Sequence, residues 1–200
     1  MTDAGERLLD AWRLTERARL AYGADGRLPL PDMAEWDIFP FEGELLVKRL
    51  ADPEFPEPAR HGDDPADCTI CARSDADYLW TSERWRLGMV RVPQSVPTLM
   101  LEPRAHLDLG DLDDQLAAEM GVVVVRIERA VAAVSGVGRV QVYRIGDGAT
   151  HLHVWFFARP EGMLQLRGSS LVDWSDILPP MPTEEWSAFA AAVARNLGGG

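Results

Sequence analysis

The chain is poor in several things. It has two cysteines and four histidines in 200 residues. Two cysteines exclude the multi-disulfide framework that holds small secreted domains together. No apolar stretch approaches the roughly 20 residues that a membrane-spanning helix needs. Basic residues are outnumbered, 20 Lys and Arg against 32 Asp and Glu, for a formal net charge of -12. A surface that acidic repels phosphate backbones, which excludes broad binding to nucleic acid but leaves room for a local pocket for one small phosphate-bearing ligand. The first twenty residues, MTDAGERLLDAWRLTERARL, intersperse charges and hold no apolar signal-peptide core. The cytoplasm is therefore the expected compartment, with no membrane partner.

What is present is an ordinary globular composition, 46% hydrophobic and 26% charged, enough for one good core. Residues 2–22 carry a helical stripe, Leu8, Leu9, Trp12 and Leu20, with Thr2 as a cap. Prolines and glycines then forbid long elements up to residue 67, apart from a possible short segment at 44–50. WRLGMVRV (85–92), TLMLEP (98–103) and RVQVYRI (139–145) read as strands. Apolar groups from Leu112 to Val134 recur at steps of three and four, a long helix over 112–135 stopped by Ser135-Gly136. TEEWSAFAAAVARNL, from Thr183, opens with a cap and two acids, as a terminal helix does. The stretch 164–174 reads as a surface turn or, less readily, a phosphate-binding loop.

Chemistry concentrates in THLHVWFFARP (150–160) and in Cys68-Thr-Ile-Cys71. Strand alternation points His151, His153 and Trp155 the same way. A CxxC pair in a reducing compartment binds metal or carries redox chemistry more often than it forms a structural disulfide. A closed zinc site takes four Cys or His ligands. Two are the cysteines, and the other candidates are His61, His106, His151 and His153. His61 sits in a polar loop and is expected to be solvated. Trp155 is expected to pack among Trp80, Trp85, Phe156 and Phe157.

The order of elements resembles the histidine-triad (HIT) superfamily, which includes galactose-1-phosphate uridylyltransferases. Three segments carry the likeness over about residues 66 to 160: DCTICAR (67–73), LMLEPRAHLDLGDLDD (99–114) and GDGATHLHVWFFARP (146–160). The resemblance implies an α+β fold, an antiparallel sheet of about five strands carrying the 112–135 helix on one face. It divides the chain into an N-terminal extension (1–65), a HIT-like domain (66–160) and a C-terminal extension with the last helix (161–200). It implies a structural zinc on Cys68, Cys71, His106 and His151, and His153 as a nucleophile that forms a nucleotidyl-histidine. Phosphate-binding groups would be drawn from Gly148, Arg104 and Arg159, with Arg144, Arg167 and Gly146 nearby. The implied partner is a nucleotide or nucleoside phosphate, and family members often pair as homodimers.

Two positions depart from the family pattern. Trp155 stands where hydrolases of the family carry a third histidine, and its indole offers one donor but no titrating proton. Asp147 replaces a usual glutamine and adds negative charge beside the expected phosphate. Both residues would line the substrate site. They keep open an alternative, a catalytically inactive zinc-structured domain that binds a nucleotide or a protein. A zinc hydrolase with an open metal position is a third reading, set against four available protein ligands.

Overall fold

The structure, a computed structural model, describes residues 11–198. They fall into two compact units divided after Pro58. In the first, helix α1 (Ala11–Leu20) is followed by chain with no further α-helix or strand among the described residues. The expected segment at 44–50 has no regular structure. Thr2, Leu8 and Leu9, the start of the expected first helix, lie outside the described residues. Arg19 pairs with Asp52 at 2.5 Å, and Arg27 Nη1 donates to the Val47 carbonyl at 2.9 Å.

The second unit is built on five antiparallel strands: β1 (Trp80–Thr81), β2 (Trp85–Met89), β3 (Thr98–Pro103), β4 (Val137–Tyr143) and β5 (Val154–Pro160). Their order in the sheet is β1-β2-β3-β5-β4. Helix α2 (Asp114–Ala132) lies between β3 and β4 in the chain. Asp113 caps it by accepting from Leu116 N at 2.7 Å, which starts the helix two residues after the expected Leu112. The fold is the expected α+β sheet with a long helix on it.

The two faces of the sheet follow from strand alternation. One face contributes Trp85, Leu87, Leu99, Leu101, Val154, Phe156 and Ala158 to the main core, packed with Val123, Ile127 and Val131 of α2. Helix α4 (Thr183–Gly198) closes that core with Val193 and Leu197. Phe156 is fully buried there. Phe156→Ala is expected to lower stability by about 3–5 kcal/mol, lost contacts plus a cavity, read as a shift of the denaturant midpoint at unchanged slope.

The other face is covered in part by a second cluster, Val96, Phe157, Leu166 and Leu171. Its lid is helix α3 (Ser170–Ile177), which takes the second part of the stretch expected as a turn or phosphate loop at 164–174, while residues 164–169 are turn and irregular chain. Polar ties hold it: Tyr143 donates to the Gly168 carbonyl at 2.7 Å, and Ser95 Oγ donates to the Ser175 carbonyl at 3.1 Å. No helix among the described residues is long and apolar enough to cross a membrane.

Candidate functional site

Four short stretches meet at one end of the second unit. Asp64 caps the single turn Pro65–Asp67 by accepting from Ala66 N, and the chain then coils so that the Cys71 amide faces Cys68 Sγ at 3.5 Å. His106 follows β3, and His151 lies in the extended run before β5. Gly62 completes the enclosure. Its φ of +81° and the approach of Cys68 Cβ and His106 Cε1, both 3.4 Å from where a Cβ would stand, leave little room for a side chain.

The ligand atoms of Cys68, Cys71, His106 and His151 all lie within 4.8 Å of one another. Sulfur-to-nitrogen separations are 3.5 Å for Cys68–His151, 3.3 Å for Cys71–His106 and 3.4 Å for Cys71–His151. A zinc tetrahedron with bonds of about 2.3 Å to sulfur and about 2.0 Å to nitrogen has S···N edges of about 3.5 Å. The donor set therefore fits zinc in type, number and spacing. His151 offers Nδ1 to the cluster while its Nε2 donates to the Pro103 carbonyl at 2.9 Å, which fixes the tautomer a metal requires. Burial holds the His151 imidazole neutral, below the usual histidine range, the form that ligates. Burial and the neighbouring Cys68 push the Cys71 thiol up to about 11. Two adjacent thiols resist ionising together, and a divalent cation is what allows two thiolates to share so small a space.

The same histidine anchors its neighbour. His153 Nδ1 donates to the His151 carbonyl at 2.9 Å, so Nε2 is left as the basic nitrogen. The β-ladder begins only at Val154, so both histidines precede it rather than standing on it. His153 forms part of the wall of a cavity of about 650 Å³, with Trp155, Phe157, Met100 and Glu102 beside it on the sheet and Val172 and Ser175 of α3 opposite.

Of the residues assigned to the substrate from sequence, Trp155 and Gly148 line the cavity. Trp155 packs at right angles to His153, centroids 5.6 Å apart, and stacks on Phe157 at 6.0 Å. Its Nε1 is buried without a hydrogen-bond partner. The expected packing of Trp155 against Trp80, Trp85 and Phe156 is corrected, because those three pack in the opposite core, and Phe157 alone of the four shares its cluster. Asp147 is exposed and outside the lining residues. Arg104 and Arg159 are also outside it. Arg104 forks onto Asp75 at 2.8 and 2.7 Å, which holds that carboxyl below the usual range. Arg159 Nη1 donates to the Pro160 and Met163 carbonyls at 3.0 and 3.1 Å. Arg144 pairs with Asp108. His61 is exposed, as expected, yet it borders the cavity, with Nε2 3.0 Å from Thr69 Oγ1.

Sequence reasoning passed over a buried charged cluster in the cavity wall. Glu102 is 0% exposed. Tyr78 donates to its Oε2 at 2.6 Å, and Arg73 Nη1 approaches its Oε1 at 3.4 Å. The Arg73 guanidinium lies 4.3 Å from the Tyr78 ring centroid. The signal was available in TLMLEP, where Thr98, Met100 and Glu102 alternate with two leucines and a proline. A lone carboxylate on the second face of a buried strand calls for a reason.

Solved structures share this fold. A histidine triad protein from Bradyrhizobium japonicum is 21% identical, aligned over 60% of this chain and 89% of its own, with a TM-score of 0.50. A hypothetical histidine triad nucleotide-binding protein from Sulfolobus tokodaii is 17% identical over 66% of this chain and 93% of its own, with a TM-score of 0.52. A Hit-like protein from Bartonella henselae is 17% identical over 70% and 99%, with a TM-score of 0.51. No protein-family model and no curated protein matches the sequence. By these likenesses the chain has the fold of histidine-triad proteins.

Proposed function

We propose that the protein is a nucleotide-binding phosphoryl-transfer enzyme, a hydrolase or nucleotidyltransferase, that works through a nucleotidyl-histidine at His153. The observation that carries this is the hydrogen bond from His153 Nδ1 to the His151 carbonyl, in a side chain that walls the cavity. It leaves Nε2 with its lone pair and fixes the ring against rotation. Such a nitrogen attacks the α-phosphorus of a nucleotide, the bond to the leaving group breaks, and water or a second phosphate later takes the nucleotide. Cys68, Cys71, His106 and His151 would hold a zinc ion, whose part would be structural, tying the CxxC turn to the run that carries His153. Trp155 and Phe157 offer flat apolar surface for a base. The nucleotide-binding name of the Sulfolobus protein points the same way.

The test is adduct trapping. The protein is incubated with dinucleotides, aminoacyl-adenylates and sugar nucleotides, then quenched and mapped by mass spectrometry. A nucleotidyl group on His153 is the expected result, and neither adduct nor turnover across the panel sinks the reading. A second reading, a nucleotide-binding domain without catalysis, is favoured by Trp155 alone. Trp155→His separates them: an active protein is expected to keep adduct formation within about tenfold, less than the ~10² to 10⁴-fold of a general acid supplied from nothing. Turnover that arises only in the variant would favour the second reading.

A further inference from the structure

We propose that Glu102 is the acid and base of this site, giving a proton to the leaving group and taking one from the attacking water. It stands in from the neighbouring strand for the proton that Trp155 cannot supply. The inference rests on His153 as nucleophile.

Register places the group. Leu101 pairs with Val154 and Met100 with Trp155. One step past Leu101 and Val154 the chain reaches Glu102 and His153, on the face that already holds Met100 and Trp155. All four line the cavity. A carboxyl in a wall of Met, Trp and Phe is costly to bury, and a core of this kind gains nothing in packing from it.

Its surroundings suit proton transfer better than a fixed ion pair. The groups facing it are Arg73, Tyr78, His153 and, across β2, Arg86, which registers opposite Glu102. Arg73 Nη1 stands 3.4 and 3.5 Å from the two oxygens, longer than the ~2.7–2.9 Å of a tight charge-assisted bond. Burial raises the Glu102 pKa, and the Tyr78 bond and the cations oppose that rise. Tyr78, pushed up to about 12 by burial and by Glu102, stays protonated and donates to Oε2 in both states of the carboxyl. The carboxyl is thus anchored by one oxygen and can exchange a proton at the other.

The steps balance. The Nε2 lone pair of His153 forms the N–P bond, the bond from phosphorus to the leaving oxygen breaks, and that oxygen takes the Glu102 proton. Water then attacks phosphorus and passes a proton to the Glu102 carboxylate. The P–N bond breaks and its electron pair returns to Nε2. One water is consumed and both side chains are restored.

The test uses two esters of a nucleoside 5′-monophosphate on the full chain, a p-nitrophenyl ester and a methyl ester. The first leaving group needs no proton and the second does. In Glu102→Gln, turnover of the methyl ester is expected to fall by ~10² to 10⁴-fold. Adduct formation from the nitrophenyl ester should change little, and the adduct should persist because water has lost its base. Equal losses in the rate of adduct formation from both esters, or no loss from either, overturn the proposal and leave the nucleophile reading standing. If wild-type protein forms no adduct with either ester, both fall. Should the variant fail to fold, the wild type carries the signature: adduct formation across a series of phenyl and alkyl esters should depend weakly on leaving-group pKa, and a steep dependence overturns the proposal.

Discussion

His153→Ala is expected to abolish the nucleotidyl adduct and to lower turnover by at least on the order of 10⁴-fold, as loss of a covalent nucleophile does elsewhere. The reason is local. Once Nε2 is gone, the nearest imidazole in the cavity wall is His61, which is exposed and shared with Thr69. Fold and metal content should survive, because His153 stands beside the cavity rather than among the Cys₂His₂ ligands. The truncation leaves a hole the size of an imidazole, so free imidazole added to the variant should restore part of the turnover without restoring a protein-bound adduct. An adduct that persists in His153→Ala would move the nucleophile to another residue, with His61 the first to replace.

Removal of the metal is expected to have the other large effect, on the fold. Purified protein should hold one zinc per chain, retained in His153→Ala and lost or weakened in His151→Ala and Cys68→Ser. Chelation should lower the melting temperature and loosen the second unit, since structural zinc sites contribute on the order of 10–16 kcal/mol of apparent binding energy. Two features set the direction. The four ligands come from the CxxC turn, the end of β3 and the approach to β5, so their release unties three parts of the chain. Without a cation, a thiol pushed up to about 11 sits beside a second thiol and two imidazoles, and no ion joins the three stretches at this point. Chelation that left the melting temperature unchanged would remove the structural role. Chelation that stopped turnover in an intact fold would favour the open-site zinc hydrolase.

The sequence made much of this readable, for physical reasons. Period-two and period-3.6 patterns marked β2, β3, β4, α2 and α4, because each has one face in the main core. The CxxC spacing offered two ligands of the Cys₂His₂ set, and the family resemblance rather than the count of histidines singled out His106 and His151 from four. Helix α3 escaped because eight residues with three buried positions leave too short a pattern. Arg104 lies two residues from His106, yet its guanidinium turns to Asp75 and to the Ser82 carbonyl. The strand ends at Pro103, so alternation no longer sets the side of Arg104 and His106, and proximity in sequence said nothing about side. Glu102 was passed over for the opposite reason: its partners Arg73 and Tyr78 are 29 and 24 residues away, and no local pattern joins them.

The separation of the sheet into two faces has a use in engineering. Thr98, Met100 and Glu102 on β3, and His153, Trp155 and Phe157 along β5 and the residue before it, alternate with residues that hold the core. A combinatorial library confined to positions 98, 100, 155 and 157 would vary pocket shape and polarity while every core-facing neighbour stays constant. Thr98 and Phe157 are themselves buried, Phe157 within the second cluster, so changes there would carry a parallel selection for folding, and positions 100 and 155 are the freer pair. A deletion of one residue in that stretch would do the reverse, exchanging pocket for core along the whole strand.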